Sequence, residues 1–256
     1  VDFPDDAEAL YSLADPCLDA PMFARFLAGK LRDAGGAVFE GCAADMLHLS
    51  DDGEIRGVVT EQGTLICDKV LVAAGPSTPE VLGQLTGYEP YASRFPMNRV
   101  PGLLVTTPST APAQLVRHVL YCDMEEAVHV LPMPNGGLKI GADDTDGMVS
   151  DGAPSDAVKR DAALKLLGRV KRLIPSFAGE ACIDECTIGI GVRPYPADGK
   201  TIAGPLPGAD GLFVVATHSG VTLSPAVGSL MADLIVDGQC PEALKPFALE
   251  RFQGFG

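Results

Sequence analysis

The sequence predicts a mixed α and β fold containing two kinds of sheet. Three observations carry this. Near both ends of the chain, apolar runs of strand length lead into helices. Between them, short strands are separated by turn-forming dipeptides. The composition, 46% hydrophobic and 21% charged, excludes intrinsic disorder, which needs low hydrophobicity and high charge. With 256 residues the chain can bury a sizeable core. The expected organisation is one α/β domain built from 1–87 and 188–256, with an antiparallel-sheet domain inserted over 88–187.

Each element has its own signal. Residues 20–34 read as a helix, with Phe23, Phe26, Leu27 and Leu31 on one face, Asp19 to cap it and Gly35-Gly36 to stop it. A strand meander follows at 46–49, 55–60 and 64–66, joined at Asp51-Asp52-Gly53 and Gln62-Gly63. The near-continuous apolar run 69–74 predicts a strand covered on both faces, and a short helix is expected over 79–85. Strands at 100–106, 116–122, 127–131 and 138–142 predict the antiparallel sheet. Residues 154–174 form an amphipathic helix with Ala162, Leu166, Leu167 and Val170 on its apolar stripe. Strands at 187–192 and 212–217 come next. A last helix over 223–236 starts near Pro225 and is capped by Asp237-Gly238.

Charge narrows the partners. There are 34 acidic and 19 basic residues, a net charge of −15, which repels phosphate backbones and anionic lipid. Apolar stretches are interrupted before the ~20 residues of a membrane span. The acidic N-terminus, 1–6, lacks an apolar signal region, so a cytoplasmic location is expected. The seven Cys are scattered and odd in number, which reads as free buried thiols in a reducing compartment. Cys182 and Cys186 lack a second Cys or His pair nearby, so no metal site is expected. The acidic run Asp143-Asp144-Thr145-Asp146-Gly147 lacks a calcium loop's alternation and terminal Glu, and reads as solvated. His48, His118 and His129 stand alone and read as surface or satisfied residues.

Two stretches carry chemistry. In 212–228 an apolar strand runs through His218-Ser219-Gly220 straight into a helix, whose start favours negative charge. The same pattern also describes an ordinary strand–helix connection. In 189–205, Arg193 stands between Gly191-Val192 and Pro194, and a guanidinium is a natural partner for a carboxylate. Gly189-x-Gly191 is followed by a turn rather than a helix, so it is not a dinucleotide loop.

Together these stretches resemble the C-terminal signature of the D-amino-acid oxidase-like flavoproteins, which include glycine and sarcosine oxidases. The resembling parts, in order, are Gly191-Val192-Arg193-Pro194, the Asp198-Gly199 turn, Ile202-Ala203-Gly204-Pro205, a strand, and His218-Ser219-Gly220 before a helix near Pro225-Ala226. The meander, the run Val70 to Gly75 and the tail Arg251-Phe252 also resemble that family. The family's opening strand–Gly-x-Gly-x-x-Gly–helix unit and its ribose-binding acid do not occur in these residues. Ser77 stands where relatives often carry an aromatic residue.

The resemblance implies an FAD-binding dinucleotide-type domain, incomplete here, with an inserted substrate domain. It implies that Ala44 meets the adenine, and that Ala73, Ala74 and Gly75 lie beside the dinucleotide. His218, Ser219, Gly220, Val221, Thr222 and Leu223 would lie under the flavin ring, where the helix start stabilises negative charge at the N1–C2=O edge. Arg193 would grip the substrate carboxylate, and Tyr121 and Tyr195 would line the substrate pocket. The implied function is oxidation of the C–N bond of an amino acid or secondary amine by hydride transfer to flavin. The alternatives are a non-catalytic, flavin-less subunit of the same fold, and the same chemistry on a 2-hydroxy acid or polyol phosphate. Completion by a second polypeptide carrying the Gly-rich unit, or self-association, is also expected.

Overall fold

The computed structural model describes residues 17–52, 54–84, 89–109, 115–122, 126–150 and 153–255. The acidic start at 1–6 and Gly53 of the first hairpin turn lie outside the described residues. In chain order the first elements are α1 (Ala20–Asp33), β1 (Ala44–Leu49), β2 (Ile55–Thr60), β3 (Gly63–Ile66), β4 (Val70–Val72), α2 (Thr78–Gln84), α3 (Glu89–Arg94) and β5 (Met97–Thr106). There follow β6 (Leu120–Cys122), β7 (Val128–Pro132), β8 (Leu138–Gly141), α4 (Asp143–Gly147), α5 (Asp156–Leu173), β9 (Thr187–Pro196), β10 (Ile202–Pro205), β11 (Leu212–Ala216) and α6 (Gly220–Asp237).

The chain divides into two compact units, Gly35–Val100 with Arg193–Gly256, and Val1–Ala34 with Pro101–Val192. These boundaries differ from the expected ones at both ends. Residues 88–100 join the first unit because α3 packs on α2, and Phe95 enters a core with Leu82 and Ile202. The start of the chain joins the second unit, where the Cys17 thiol donates to the Pro132 carbonyl at 3.2 Å.

The first unit holds two three-stranded sheets. The expected meander forms one, with β2 central and antiparallel to both neighbours. In the other, β11 is central, β10 runs antiparallel to it and β4 parallel. Strand β10 was not foreseen; only four residues long, it is bounded by Pro205 and the 197–200 turn. The strand at 70–72 is not covered on both faces as expected. It lies at the edge of its described sheet, and pleating sends Val72 into the core while Leu71 stays 40% exposed.

Helix α6 follows β11 and packs through Met231 and Leu234 on Phe213 and Ala203. It starts three residues before the expected point, which moves Pro225 from the first turn to the second. Proline has no N–H for the carbonyl four residues back. That carbonyl, on Val221, instead accepts the Ser224 hydroxyl at 2.9 Å. Gly238 ends the helix with φ +70°, a conformation glycine adopts without Cβ strain. By length and composition α6 is apolar enough to cross a membrane, contrary to the sequence expectation. One side of it meets the sheet, and Val221, Leu223 and Val236 remain open.

The second unit is built on a five-stranded sheet in the order β6-β7-β8-β5-β9. Its core joins Val130 and Ile140 of the sheet to Ala162, Leu166, Leu167 and Val170 of α5. The predicted stripe of α5 is therefore the one that is buried. Ser155 caps its start, accepting the Val158 N–H at 3.4 Å.

The acidic run at 143–147 is helical rather than a loop, and only part of it is solvated, Asp143, Asp144 and Gly147 being exposed. It forms α4, in which Thr145 and Asp146 are buried. Asp146 accepts the Leu103 backbone N–H at 2.7 Å. Asp144 accepts both Nη groups of Arg169, at 2.7 and 2.5 Å, and this guanidinium pulls its carboxyl below the usual range. A carboxylate such as that of Asp146 needs a fixed donor to leave water. Helix α1 is capped by Asp19 as expected, yet Phe26, Leu27 and Leu31 are about half exposed.

Of the seven cysteines only Cys182 is buried, and Cys17 and Cys240 are exposed, so the expectation of buried thiols fails for most of them.

Candidate functional site

The site forms in the first unit, where β4 and β11 end side by side. Parallel pairing puts Val72 opposite Val214, so both strands deliver their following residues to the same edge. Open α/β sheets leave a crevice at such carboxyl ends. Here it is a groove of about 770 Å³, lined by Ala73, Gly75, Pro194, His218, Gly220 and Val221 at one end. Leu71, Val215, Val227 and Met231 extend it along α6. Its walls are therefore mostly apolar, with a backbone-rich polar end.

The polar end is the start of α6. Ser219 occupies the N-cap, but its side chain makes no capping hydrogen bond. The first turn contains no acidic residue. The N–H groups of Gly220, Val221 and Thr222 have no partner within the helix, and the dipole's positive end lies there. The turn itself is held from behind. Thr201 and Thr217 share a hydroxyl–hydroxyl bond of 2.8 Å, and the Ser219 N–H donates to Thr217 Oγ1 at 3.3 Å.

Gly220 shows how much room the groove keeps. A Cβ added there meets only Thr217 Cγ2, at 3.7 Å, and its φ lies outside the left-handed region. The protein itself therefore does not require glycine at 220.

Beside the groove, Tyr195 meets His218 edge-on with ring centroids 5.0 Å apart. The turn after Tyr195 is fastened by Arg251. Its Nε and Nη2 donate to the two Asp198 carboxylate oxygens at 2.8 and 3.0 Å, and Nη2 also reaches the Lys200 carbonyl at 2.9 Å. This fork lowers the Asp198 carboxyl to about 2.

The structure thus brings together Ala73, Gly75, His218, Gly220, Val221 and Leu223. Ala74 sits one residue away with its carbonyl taking the Ser77 N–H at 3.1 Å. Ser219 and Thr222 belong to the same turn and helix start. Arg193 is half-buried on β9, adjacent to the groove residue Pro194. Ala44 is elsewhere, paired with Thr60 at the start of β1. Tyr121 belongs to the second unit, where it is 78% exposed and tilted against His129 at 6.1 Å. Sequence reasoning did not single out Leu71 or the Thr201–Thr217 pair. The alternation of a pleated strand would have exposed Leu71, but the threonine pair depends on the antiparallel pairing of β10 with β11, and β10 was not foreseen.

Residues 2–234 match the model of the DAO family, described as FAD dependent oxidoreductase. The chain belongs to that family, whose cofactor is FAD. It is 28% identical over 250 residues to a glycine oxidase of Geobacillus kaustophilus, covering 97% of this chain and 61% of that protein. It is 27% identical over 242 residues to a D-amino acid dehydrogenase of Cereibacter sphaeroides, covering 92% of this chain and 50% of that protein. The crystal structure of the Geobacillus kaustophilus glycine oxidase superposes with a TM-score of 0.68 at 25% identity, over 92% of this chain and 59% of that one. The chain therefore spans between half and about three fifths of these relatives' length.

The residues present fit the family's cofactor. A flat, largely apolar ring system needs an open slot with apolar walls and a few polar groups at one end. The groove has that character, and Gly220 leaves free the space a side chain would occupy.

Proposed function

We propose that this chain forms the flavin-ring side and substrate domain of an FAD-dependent oxidoreductase that oxidises the C–N bond of an amino acid or secondary amine. The observation that carries this is the apolar groove ending on the uncapped start of α6, with space kept open at Gly220. The activities of the relatives, glycine oxidase and D-amino acid dehydrogenase, favour an amino acid over other substrates.

When bound, FAD supplies the hydride acceptor for the substrate α-carbon. The chain's own residues do the rest. The N–H groups at the start of α6 favour negative charge in the groove, where the low polarity of the walls strengthens the effect. Ala73 and Gly75 keep the strand end narrow enough for close approach. Arg193 offers two parallel N–H donors to a substrate carboxylate, which fixes the α-carbon's orientation. Leu71, Val215 and Val227 exclude water. A Gly-rich phosphate-binding turn, absent from residues 1–256, completes the dinucleotide site from another segment or a second polypeptide.

The test is Gly220→Val beside Gly220→Ala in the flavin-loaded protein. Visible absorbance reads flavin content and thermal melting reads the fold. Flavin is lost progressively from Ala to Val while melting of the apo form stays within a few degrees. Full flavin retention in Gly220→Val with an unchanged spectrum overturns the assignment.

A further inference from the structure

The second unit contains a pair of thiols that the flavin reading does not use. After α5 the chain makes a 3₁₀ stretch, Gly179–Glu185, followed by extended backbone at Cys186. Cys182 lies in this stretch and is 8% exposed, whereas Cys186 is half-buried. The Cys182 thiol donates to the Gly179 carbonyl at 3.1 Å, and the Cys186 thiol to the Cys182 carbonyl at 3.2 Å. Their sulfurs are 3.7 Å apart. The scattered cysteines elsewhere show no such pairing among the described residues.

The backbone around the pair is pinned. Ile183 is buried in the core, Arg160 Nη1 holds Asp184 Oδ1 at 2.7 Å, and the Cys186 N–H returns to the Ile183 carbonyl at 3.2 Å. The pinned backbone keeps the two cysteines close to one another. A disulfide needs about 2.05 Å between sulfurs, so closure requires roughly 1.6 Å of approach, which side-chain rotation can supply. Burial and the neighbouring Cys182 thiol push Cys186 up to about 12, so its attack on an oxidant is slow and runs through a small thiolate fraction. A disulfide in the same place carries no ionisable or donor group, and its formation removes two polar S–H groups from a largely apolar surround.

We propose that Cys182 and Cys186 form a redox couple that closes to an intrachain disulfide on two-electron oxidation by a peroxide. Cys186, the more exposed, meets the oxidant. Its sulfur attacks a peroxide oxygen, the O–O bond breaks, and sulfenic acid and one water result. The Cys182 sulfur then attacks the sulfenyl sulfur. The S–S bond forms, the S–O bond breaks, and the hydroxyl leaves with the thiol proton as a second water. Two thiols and one peroxide thus give one disulfide and two waters, and a dithiol reductant reverses the change.

The experiment uses the reduced full chain, hydrogen peroxide and peptide mapping. Trypsin does not cut before Pro194, so residues 173–200 form one peptide whose only cysteines are Cys182 and Cys186. The expected result is a loss of about 2 Da in that peptide, reversed by dithiothreitol. Cleavage after Glu185 then leaves two fragments joined until reduction. Cys182→Ser abolishes the link and leaves Cys186 as a sulfenic acid trapped by dimedone. Uptake of two or three oxygens by either cysteine without a link overturns the proposal. So does linkage to a cysteine outside the pair, or an unchanged 173–200 peptide while Cys17 and Cys240 oxidise.

Discussion

Arg251→Ala removes a fastening that spans more than fifty residues of sequence. The guanidinium, 18% exposed, makes five hydrogen bonds, two of them to Asp198 and three to the carbonyls of Phe247, Ala248 and Lys200. It also lies 4.3 Å from the Phe252 ring centroid. Hydrogen bonds to charged groups contribute about 1.5–3 kcal/mol each when buried, but they are not additive and the freed carbonyls here can reach water. Asp198 is 32% exposed, so solvent screening cuts the ion pair itself to about 1 kcal/mol. The whole substitution should cost about 2–3 kcal/mol of unfolding free energy, and Asp198→Asn about 1 kcal/mol. The pH dependence separates the two parts. The Asp198 carboxyl falls from 3.8 to about 2 on folding. Its contribution is therefore complete above pH 3.8 and is lost as pH falls through about 2. Urea unfolding followed by circular dichroism, with a double-mutant cycle on Arg251 and Asp198, should show a coupling energy that shrinks in this window. A coupling within about 0.3 kcal/mol of zero at neutral pH would refute the reasoning, as would one that does not change with acid.

Two other substitutions test separate parts of the structure. Arg193→Ala in the flavin-loaded enzyme should weaken carboxylate substrates by one to several powers of ten in kcat/KM and spare amines lacking a carboxylate; equal losses for both would make Arg193 structural. Gly211→Ala should destabilise by about 2–4 kcal/mol. Its φ is +79° and an added Cβ would lie 2.6 Å from the Asp68 backbone carbonyl, next to the Val70 N–H bond to the Gly211 carbonyl that begins the β4–β11 pairing. An unchanged denaturation midpoint would contradict that account.

What the sequence determined by itself is largely local. Asp19 and Ser155 each stand where a helix start needs a side-chain acceptor, and Gly238 where a helix end needs a left-handed residue. The α5 stripe names its own buried face because a period of 3.6 residues leaves one choice. The His218-Ser219-Gly220 turn and Arg193-Pro194 were legible as motifs because strand, turn and helix follow one another in the chain. Tertiary structure decided everything that depends on a partner distant in sequence. Asp144 is ion-paired as well as exposed because Arg169 reaches it from α5, and Asp146 is buried because Leu103 supplies an N–H. Leu71 is open because β4 falls at the edge of its described sheet. The groove exists only because parallel pairing sets β4 beside β11, although some 140 residues separate them. Periodicity and capping are short-range, set by neighbours a few residues away, whereas burial, ion pairing and cavity shape are set by whichever segments the packing of the core brings into contact.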